Sequence, residues 1–515
     1  MRPAGQRNDV LAVLLTVCLL ELIRTAWISD DAAITLRCVL NFIHGYGATF
    51  NIAERVEPYT HPLWFLLISA VTVITRHVFA STFILSISIS VVSLWLLLTR
   101  VARDFRAGVL AASVLLLSKA YVDFSTSGLE NPLAHLLILL AVLAATESSV
   151  TTFFLVCSLI FLTRPDLVVM VLPLAAVVIG SDREPARKLA RSIAVGALPA
   201  LAWTVFSLYY YGFPVPNTVY AKLGAGVPFG ERIVQGGRYL LDSLGRDFVT
   251  LPAIVIGVAL ALRASLIEMA LTGGSLLYIA SVVSAGGDFM SGRFLSAPLV
   301  AAAVVIARSE LTTRQVKVAA VTLGVLALPT LPATLFSSPG YSDSRIGDNG
   351  IADERAYYFQ RYGLVAPRNE LAQPDWIVRR RDVSIVCGNL GFTGIVSGPG
   401  AHLIDECALS DPLLAHLPAE RTRQWRIGHF TRQLPTDYER SVAQGENVLT
   451  DPRTHSYYES IRTVTRGPLN SLERLREVAR LNLGLVTTPD RNMYYATKVP
   501  RSSAVDPGPS HSTNR

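Results

Sequence analysis

The sequence predicts a polytopic α-helical membrane protein that carries a soluble C-terminal domain. Three observations predict it. Of 515 residues, 51% are hydrophobic and only 17% are charged, whereas soluble globular proteins carry about 25% charged residues. The charge is also unevenly placed, with 42 of the 85 charged residues in the last 179 positions, after Phe336. That is about 23% there, near the soluble norm, against about 13% in residues 1–336. Finally, residues 1–336 contain repeated apolar runs approaching the roughly 20 residues that a helix needs to cross the hydrocarbon core. A single soluble enzyme, a disordered chain and a collagen-like fibre are excluded. The net charge of +7 does not point to nucleic acid, because the arginines are scattered among acids. In a membrane protein, loop arginines and lysines set orientation.

About eleven spans are read, at roughly 9–28, 80–99, 107–122, 132–146, 151–163, 167–180, 193–211, 249–262, 265–285, 295–307 and 318–336. Arg2, Arg7 and the apolar run after them resemble a signal peptide. No small-residue cleavage site follows, and Glu21 and Arg24 interrupt the run, so it reads as an uncleaved first span. Residues 61–79 admit two readings, a twelfth span or a juxtamembrane or re-entrant helix. The strongest basic loops are Arg100/Arg103/Arg106, Arg183/Arg187/Lys188/Arg191 and Arg308/Arg314/Lys317. All three fall inside, with Arg2 and Arg7, only if 61–79 does not cross, which puts the N-terminus in the cytoplasm and the C-terminal domain outside.

That topology gathers the polar chemistry on one side. Ser29-Asp30-Asp31, Gly128-Leu129-Glu130, Arg164-Pro165-Asp166 and Gly286-Gly287-Asp288 all land on the outer face, as does the long loop 212–248. Charges at a membrane edge are costly unless they face a cavity or a partner, so such clustering marks a functional site. Asp30-Asp31 opens an amphipathic stretch: Leu36, Val39, Leu40 and Ile43 share one face, and Arg37, Asn41 and His44 the other. The pair reads either as a helix start with Ser29 or Asp30 as N-cap and nothing more, or, since one acid suffices for a cap, as holding at least one carboxylate for chemistry. Glu54, Arg55 and Glu57 read either as a surface ion-pair group or, with His61 and the aromatics Tyr59 and Trp64, as a sugar-recognition wall. Glu130 sits before Asn131-Pro132, where it caps a helix dipole. Arg164 and Asp166 read either as a simple ion pair within a short turn or as a fork of donors for a phosphate, with Asp166 orienting Arg164. Gly286-Gly287-Asp288-Phe289-Met290-Ser291-Gly292-Arg293 is a glycine-rich loop whose amides suit an anion beside Arg293. No metal-ligand spacing, Walker loop or dinucleotide fingerprint is present, so ATP-driven work is not expected. A transferred sugar would then arrive pre-activated on a membrane-borne carrier.

Trp27-Ile28-Ser29-Asp30-Asp31, Gly45-Tyr46-Gly47-Ala48-Thr49-Phe50-Asn51 and Glu54-Arg55-Val56-Glu57 resemble the first outer loop of the actinobacterial terminal β-(1→2)-arabinofuranosyltransferases. Ser127-Gly128-Leu129-Glu130, Leu162-Thr163-Arg164-Pro165-Asp166, Gly286-Gly287-Asp288-Phe289-Met290, Asp411-Pro412-Leu413-Leu414 and Trp425-Arg426-Ile427-Gly428-His429-Phe430 are similar to the same group. The resemblance implies a GT-C fold: a membrane glycosyltransferase domain over 1–336 and an extracytoplasmic α/β domain over 337–500. It implies transfer of arabinofuranose from decaprenyl-phosphoryl-arabinose to the arabinan of arabinogalactan or lipoarabinomannan, at the outer face of the plasma membrane. By position, Asp30 and Asp31 would be the catalytic carboxylates, one serving as general base. Arg164 and Arg293 would stabilise the leaving phosphate, and Glu54, Glu57, His61, Glu130, Asp166 and Asp288 would bind or orient substrate. No cofactor is expected beyond the lipid-linked donor, with a divalent metal left open and no oligomeric state implied. The alternatives are a GT-C enzyme for another lipid-linked sugar such as mannose, a transporter, or an envelope-assembly scaffold. No internal repeat pairs the two halves as in many secondary transporters.

In the C-terminal domain, residues 383–387 and 401–405 read as short buried strands around a glycine-rich connection. Leu472, Leu475, Val478 and Ala479 have helical spacing, with Glu473, Arg476, Glu477 and Arg480 expected outside. Trp425, His429, Tyr457 and Tyr458 are either glycan-stacking or core aromatics. A Cys387–Cys407 disulfide is open to this domain if it lies outside the cytosol. The Ser/Pro-rich tail 501–515 is expected to be disordered.

Overall fold

A computed structural model describes residues 4–147, 149–223, 225–335, 346–347, 349–366, 368–420 and 425–489. The tail expected to be disordered, 501–515, lies outside the described residues. The chain is mostly helical. Val78–Val101, Ala186–Tyr210 and Leu266–Ala285 are long and apolar enough to cross a membrane. Phe229–Arg246 and Thr250–Ala261 pass the same test only as one unit, bent by 105°. Pro62–Thr75, Phe105–Leu117, Asn131–Thr146, Val150–Thr163 and Pro165–Ser181 are apolar but shorter. At 1.5 Å per residue, the 14 residues of Pro62–Thr75 reach about 21 Å, short of a hydrocarbon core of about 30 Å.

Ser296–Arg308 is buried at every position and forms the axis of the body, packed between Phe105–Leu117 and Thr250–Ala261. Its Ala- and Val-rich sequence lets neighbours approach on all sides. Leu266–Ala285 packs on Pro165–Ser181, and there Gly274 has a steric reason. A Cβ at Gly274 would lie 1.8 Å from the Met170 carbonyl oxygen. Ala186–Tyr210 lies at the periphery on Val150–Thr163, leaving Leu198, Leu201 and Val205 more than half exposed. An apolar outer face of this kind suits lipid.

The stretch 212–248, expected as a loop, contains the helix Phe229–Arg246. Its Gln235, Gly236, Tyr239 and Ser243 are buried, while Phe229, Val234 and Leu241 are more than half exposed. Charged residues interleaved along it lowered the apolar density by which spans are recognised. Its open apolar face is left uncovered by the rest of the described chain.

Asp30–Ile43 is the expected amphipathic helix, with the Ser29 hydroxyl accepting from the Ala32 N–H as its N-cap. Its polar face is covered by protein, not by water. Arg37 is fully buried and donates to the carbonyls of Phe50 (2.8 Å), Gly394, Gly398 (3.1 Å) and Ala401 (2.7 Å). Asn41 donates to the Thr49 and Phe50 carbonyls and accepts from the Trp376 indole. Such saturation is what makes burying a guanidinium tolerable.

The strands Asp382–Val386 and Ala401–Asp405 form a two-stranded parallel sheet with Ile385 opposite Ile404, joined through the helix Leu390–Ser397; only the second is buried as expected, because the first lies at the open side of the pair with Ile385 exposed. Cys387 and Cys407 form a disulfide just beyond the strand ends. Residues 351–403 contribute to the same hydrophobic core as the body. A second core holds Ile404, Leu413, Leu414, Tyr438, Tyr457, Tyr458 and Ile461, so Tyr457 and Tyr458 are core aromatics. The helix Leu472–Asn482 forms as expected, but its packed face is rotated: Arg474 is buried and Val478 part-buried, while Leu472, Leu475 and Ala479 are exposed. Arg474 is fully buried, donating to the carbonyls of Val464 (2.8 Å) and Tyr210 (3.0 Å) at the ends of two other helices, while Leu472 is exposed. Capping those orphan carbonyls outweighs burying two leucines.

Candidate active site

Successive residues on a helix point about 100° apart, so Asp30 and Asp31 cannot face the same way. Asp30 turns to the C-terminal part. Its carboxylate accepts the backbone N–H of Phe392 (2.8 Å) and of Gly391 (3.1 Å) at the start of Leu390–Ser397. Gly391 is required at this contact, since a Cβ there would lie 2.1 Å from the Asp30 carbonyl oxygen. Burial pushes the Asp30 carboxyl up to about 7 against the pull of the two N–H groups. Asp31 turns the other way. Its side chain keeps 22% exposure, and Oδ2 lies 3.7 Å from Arg293 Nη1.

Glu130, the residue capping Asn131–Thr146, is the hub of the cluster that Asp31 faces. Its carboxylate lies 3.2 Å from Arg293 Nη2, 3.6 Å from Arg164 Nε and 3.1 Å from His61 Nδ1. Burial pushes Glu130 up, but the surrounding His61, Arg293 and Arg164 outweigh it and hold the carboxyl at about 2. His61 precedes Pro62–Thr75, and its Nε2 lies 2.8 Å from the Thr35 hydroxyl. Burial holds its imidazole below the ordinary value; Glu130 opposes this, and Arg293 and Arg164 reinforce it. A neutral ring with its proton on Nδ1 toward Glu130 accepts from Thr35 at Nε2.

Arg164 is held by Asp166 through two bonds (2.5 and 3.2 Å) and donates to the Tyr278 hydroxyl at 3.0 Å, which itself donates to Asp166. Its guanidinium stacks on Phe294, 4.5 Å from the ring centroid. Arg293, from the turn before Ser296–Arg308, lies 3.8 Å from Asp288 and is held more loosely. Burial pushes the Asp288 carboxyl up, against Arg293 and Lys222.

The structure therefore brings together Asp31, His61, Glu130, Arg164, Asp166, Asp288 and Arg293, whose chain positions span more than 260 residues. It partners Glu54 and Glu57 elsewhere. Glu54 lies 3.1 Å from Arg466 and 3.5 Å from His402. Glu57 accepts from the Ser207 hydroxyl at 3.1 Å. Tyr59 and Trp64 are buried, the first bonded to the Tyr211 hydroxyl and the second donating to the Gly128 carbonyl. No ring face is left among them for a sugar.

Sequence reasoning passed over three residues at the cluster's rim. Glu354 receives Arg426 at 2.9 Å. Burial pushes its carboxyl up to about 8, Arg426 opposes this, and Asp31, Asp30 and Asp288 add to it. Lys222 acts electrostatically on both Asp288 and His429. The signal for Arg426 was present in the Trp425–Phe430 motif, which was weighed only for its aromatics; Glu354 and Lys222 sit in no motif. Chemically, the arrangement sets a solvent-accessible carboxylate beside a guanidinium whose other partners are fixed. It combines a proton acceptor with a stabiliser of developing negative charge.

Two curated proteins are similar to this chain. A terminal beta-(1->2)-arabinofuranosyltransferase from Mycobacterium tuberculosis is 24% identical, over 93% of this chain and 94% of that protein. A terminal beta-(1->2)-arabinofuranosyltransferase from Corynebacterium glutamicum is 29% identical, over 52% of this chain and 46% of that protein. The resemblance read from the outer-loop motifs is borne out, and these homologues are glycosyltransferases by name. The apolar helices agree with a membrane protein. No protein-family model matches the chain, and no solved structure does.

Proposed function

We propose that this chain is a membrane arabinofuranosyltransferase that moves arabinofuranose from a polyprenyl-phosphate carrier onto cell-wall arabinan. The observation that carries the reading is the convergence of Asp31, Glu130, Asp288, Arg164 and Arg293 in one cluster, in a chain similar to two arabinofuranosyltransferases. In this reading the body is of GT-C type with about eleven spans, the N-terminus is cytoplasmic and the cluster opens to the outer face. The disulfide Cys387–Cys407 supports an oxidising, extracytoplasmic setting for the C-terminal part.

The acceptor hydroxyl attacks the anomeric carbon while its proton passes to the Asp31 carboxylate. The bond from that carbon to the phosphate oxygen breaks, and its electron pair stays on the phosphate. A positioned base supplies roughly 10²–10⁴-fold, and stabilising the leaving phosphate supplies the larger share. Asp31 is the base because it alone of the pair is free; Asp30 positions it from behind. Glu130 holds Arg293 and Arg164 in place, and Asp288 addresses sugar hydroxyls. The donor's bond is already activated, so no resident cofactor enters the scheme. The test is transfer by the purified chain from a synthetic polyprenyl-phosphoryl-arabinose to a short arabinan, beside the mannose analogue. Arabinose product is expected. Product from mannose alone would reassign the sugar, and product from neither would refute glycosyl transfer.

A further inference from the structure

The segment 425–430 closes over the cluster from the C-terminal part, and its contacts there are specific. Trp425 and Ile427 lie against Gly286, and Gly428 lies beside Lys222 and Phe289. The Arg426 guanidinium stacks over Phe289, 4.5 Å from its centroid, and the His429 ring meets the same phenyl edge-on at 4.8 Å. Phe289 is the neighbour of Asp288, so the roof sets one guanidinium and one imidazole beside the acidic loop. Arg426 is aimed by its bond to Glu354, and Lys222 runs past Gly428, where a Cβ would come within 3.4 Å of its Cε.

These cations have unused capacity. Among the described residues Lys222 makes no ion pair or hydrogen bond, although it is only partly exposed. The Nε atoms of Arg426 and of Arg293 are buried without a hydrogen-bond partner, and so is Asp288 Oδ2. Other buried arginines share this feature; what sets this place apart is that two such edges and an unpaired lysine lie in one cluster. Arg164 shows the contrast, because its fork is already occupied by Asp166 and Tyr278. The carboxylates facing the same space are Asp31, Asp288 and Glu354. They suit hydroxyls, whereas the three cations suit an anion.

We propose that Lys222 and Arg426, with Arg293 beneath them, form the subsite for the phosphate of the lipid-linked donor, so that the roof 425–430 completes the active site. This rests on the reading of the chain as a lipid-linked glycosyltransferase. The chemistry favours the assignment. When the anomeric carbon–oxygen bond breaks, the phosphate passes from a singly charged diester to a monoester carrying up to two charges, and its new charge falls on the oxygen that left the sugar. A cation at that oxygen binds the transition state and the product more tightly than the donor, which accelerates the step and does not merely tighten binding.

The experiment titrates the full-length chain in nanodiscs with a short polyprenyl phosphate and with the matching polyprenol. Wild type is expected to prefer the phosphate. Lys222→Gln should weaken phosphate binding roughly ten- to hundredfold, the range of a charge-assisted hydrogen bond, with polyprenol affinity and thermal unfolding unmoved. Lys222→Arg should restore most of the loss. Unchanged phosphate affinity in Lys222→Gln overturns the inference, as does an equal loss toward polyprenol, which would mean a structural role. A wild type that does not distinguish phosphate from polyprenol overturns the glycosyltransferase reading beneath it, which separates the two failures.

Discussion

Replacing Asp30 and Asp31 one at a time by asparagine separates chemistry from architecture. Asp31 is partly exposed and lies 3.7 Å from Arg293, a contact worth about 0–1 kcal/mol at a partly solvated site. Asp31→Asn should therefore fold normally and lose about 10²–10⁴ in kcat, which is about 3–5 kcal/mol of barrier. Asp30 is buried, and its oxygens accept two backbone N–H groups. In Asp30→Asn one oxygen still accepts, but the amide nitrogen faces the other N–H, which costs about 1.5–3 kcal/mol. The pH dependence supplies a second, independent signature. Burial raises the Asp30 carboxyl from 3.8 to about 7, so between those values the folded chain holds a proton that the unfolded chain has released. Stability from this group is therefore fully present below about pH 4, falls as pH rises toward 7, and levels off above it. The whole drop is about 4 kcal/mol. Asp30→Asn carries no proton to lose, so its unfolding temperature should decline less than that of wild type between pH 5 and pH 8. The assays are transfer to a short arabinan and calorimetric unfolding of the same preparations. Equal loss of kcat in both variants, with Asp30→Asn unfolding like wild type, would refute the division of roles.

Three further outcomes follow from the same contacts. Gly391→Ala puts a methyl 2.1 Å from the Asp30 carbonyl oxygen, where only backbone can yield; limited proteolysis should show the strand–helix unit 382–405 released at lower temperature. Glu130→Gln removes the anion shared by Arg164 and Arg293. Uncompensated buried charge costs about 3–5 kcal/mol, so the unfolding temperature should drop and kcat fall more than 100-fold, whereas an active and stable variant would dismiss Glu130 as the hub. Replacing both Cys387 and Cys407 by serine opens a loop with a sequence separation of 20. The loss expected from chain entropy is roughly 3 kcal/mol, read as a lower denaturant midpoint with transfer retained under native conditions.

What the sequence made legible, and what it hid, follows from how far each cause reaches along the chain. Apolar runs, the amphipathic helix after Asp30 and the paired strands 382–386 and 401–405 depend on neighbours within a few residues, and those appeared in the structure. The helix Phe229–Arg246 has an equally local cause, but charged residues interleaved among its apolar ones concealed it within an apparent loop. Arg474 was assigned to neither face, and the leucines beside it were expected to pack. Its true partners are carbonyls at the ends of two other helices, Val464 and the far more distant Tyr210, and no window of sequence brings Tyr210 beside it.

The candidate site obeys the same rule with one informative exception. Asp31, Glu130, Arg164, Asp166, Asp288 and Arg293 were grouped correctly without any contact being known, because the membrane supplies a global constraint. Whatever is charged and lies on one side of a bilayer has little area in which to be placed. That constraint names a side and not a direction, which is why Glu54, Glu57 and Asp30 were drawn into the same group. Each is acidic and lies in the chain's first outer segment, yet Glu54 answers Arg466, Glu57 answers Ser207 and Asp30 answers the amides of Gly391 and Phe392. Two of the three answer the C-terminal part. The acids of the first loop thus divide into those that dock other parts of the chain and Asp31, which faces Arg293 in the cluster. Because Asp31 follows Asp30 directly in the chain, the docking of Asp30 on the Gly391 and Phe392 amides fixes where the Asp31 carboxylate stands beside Arg293.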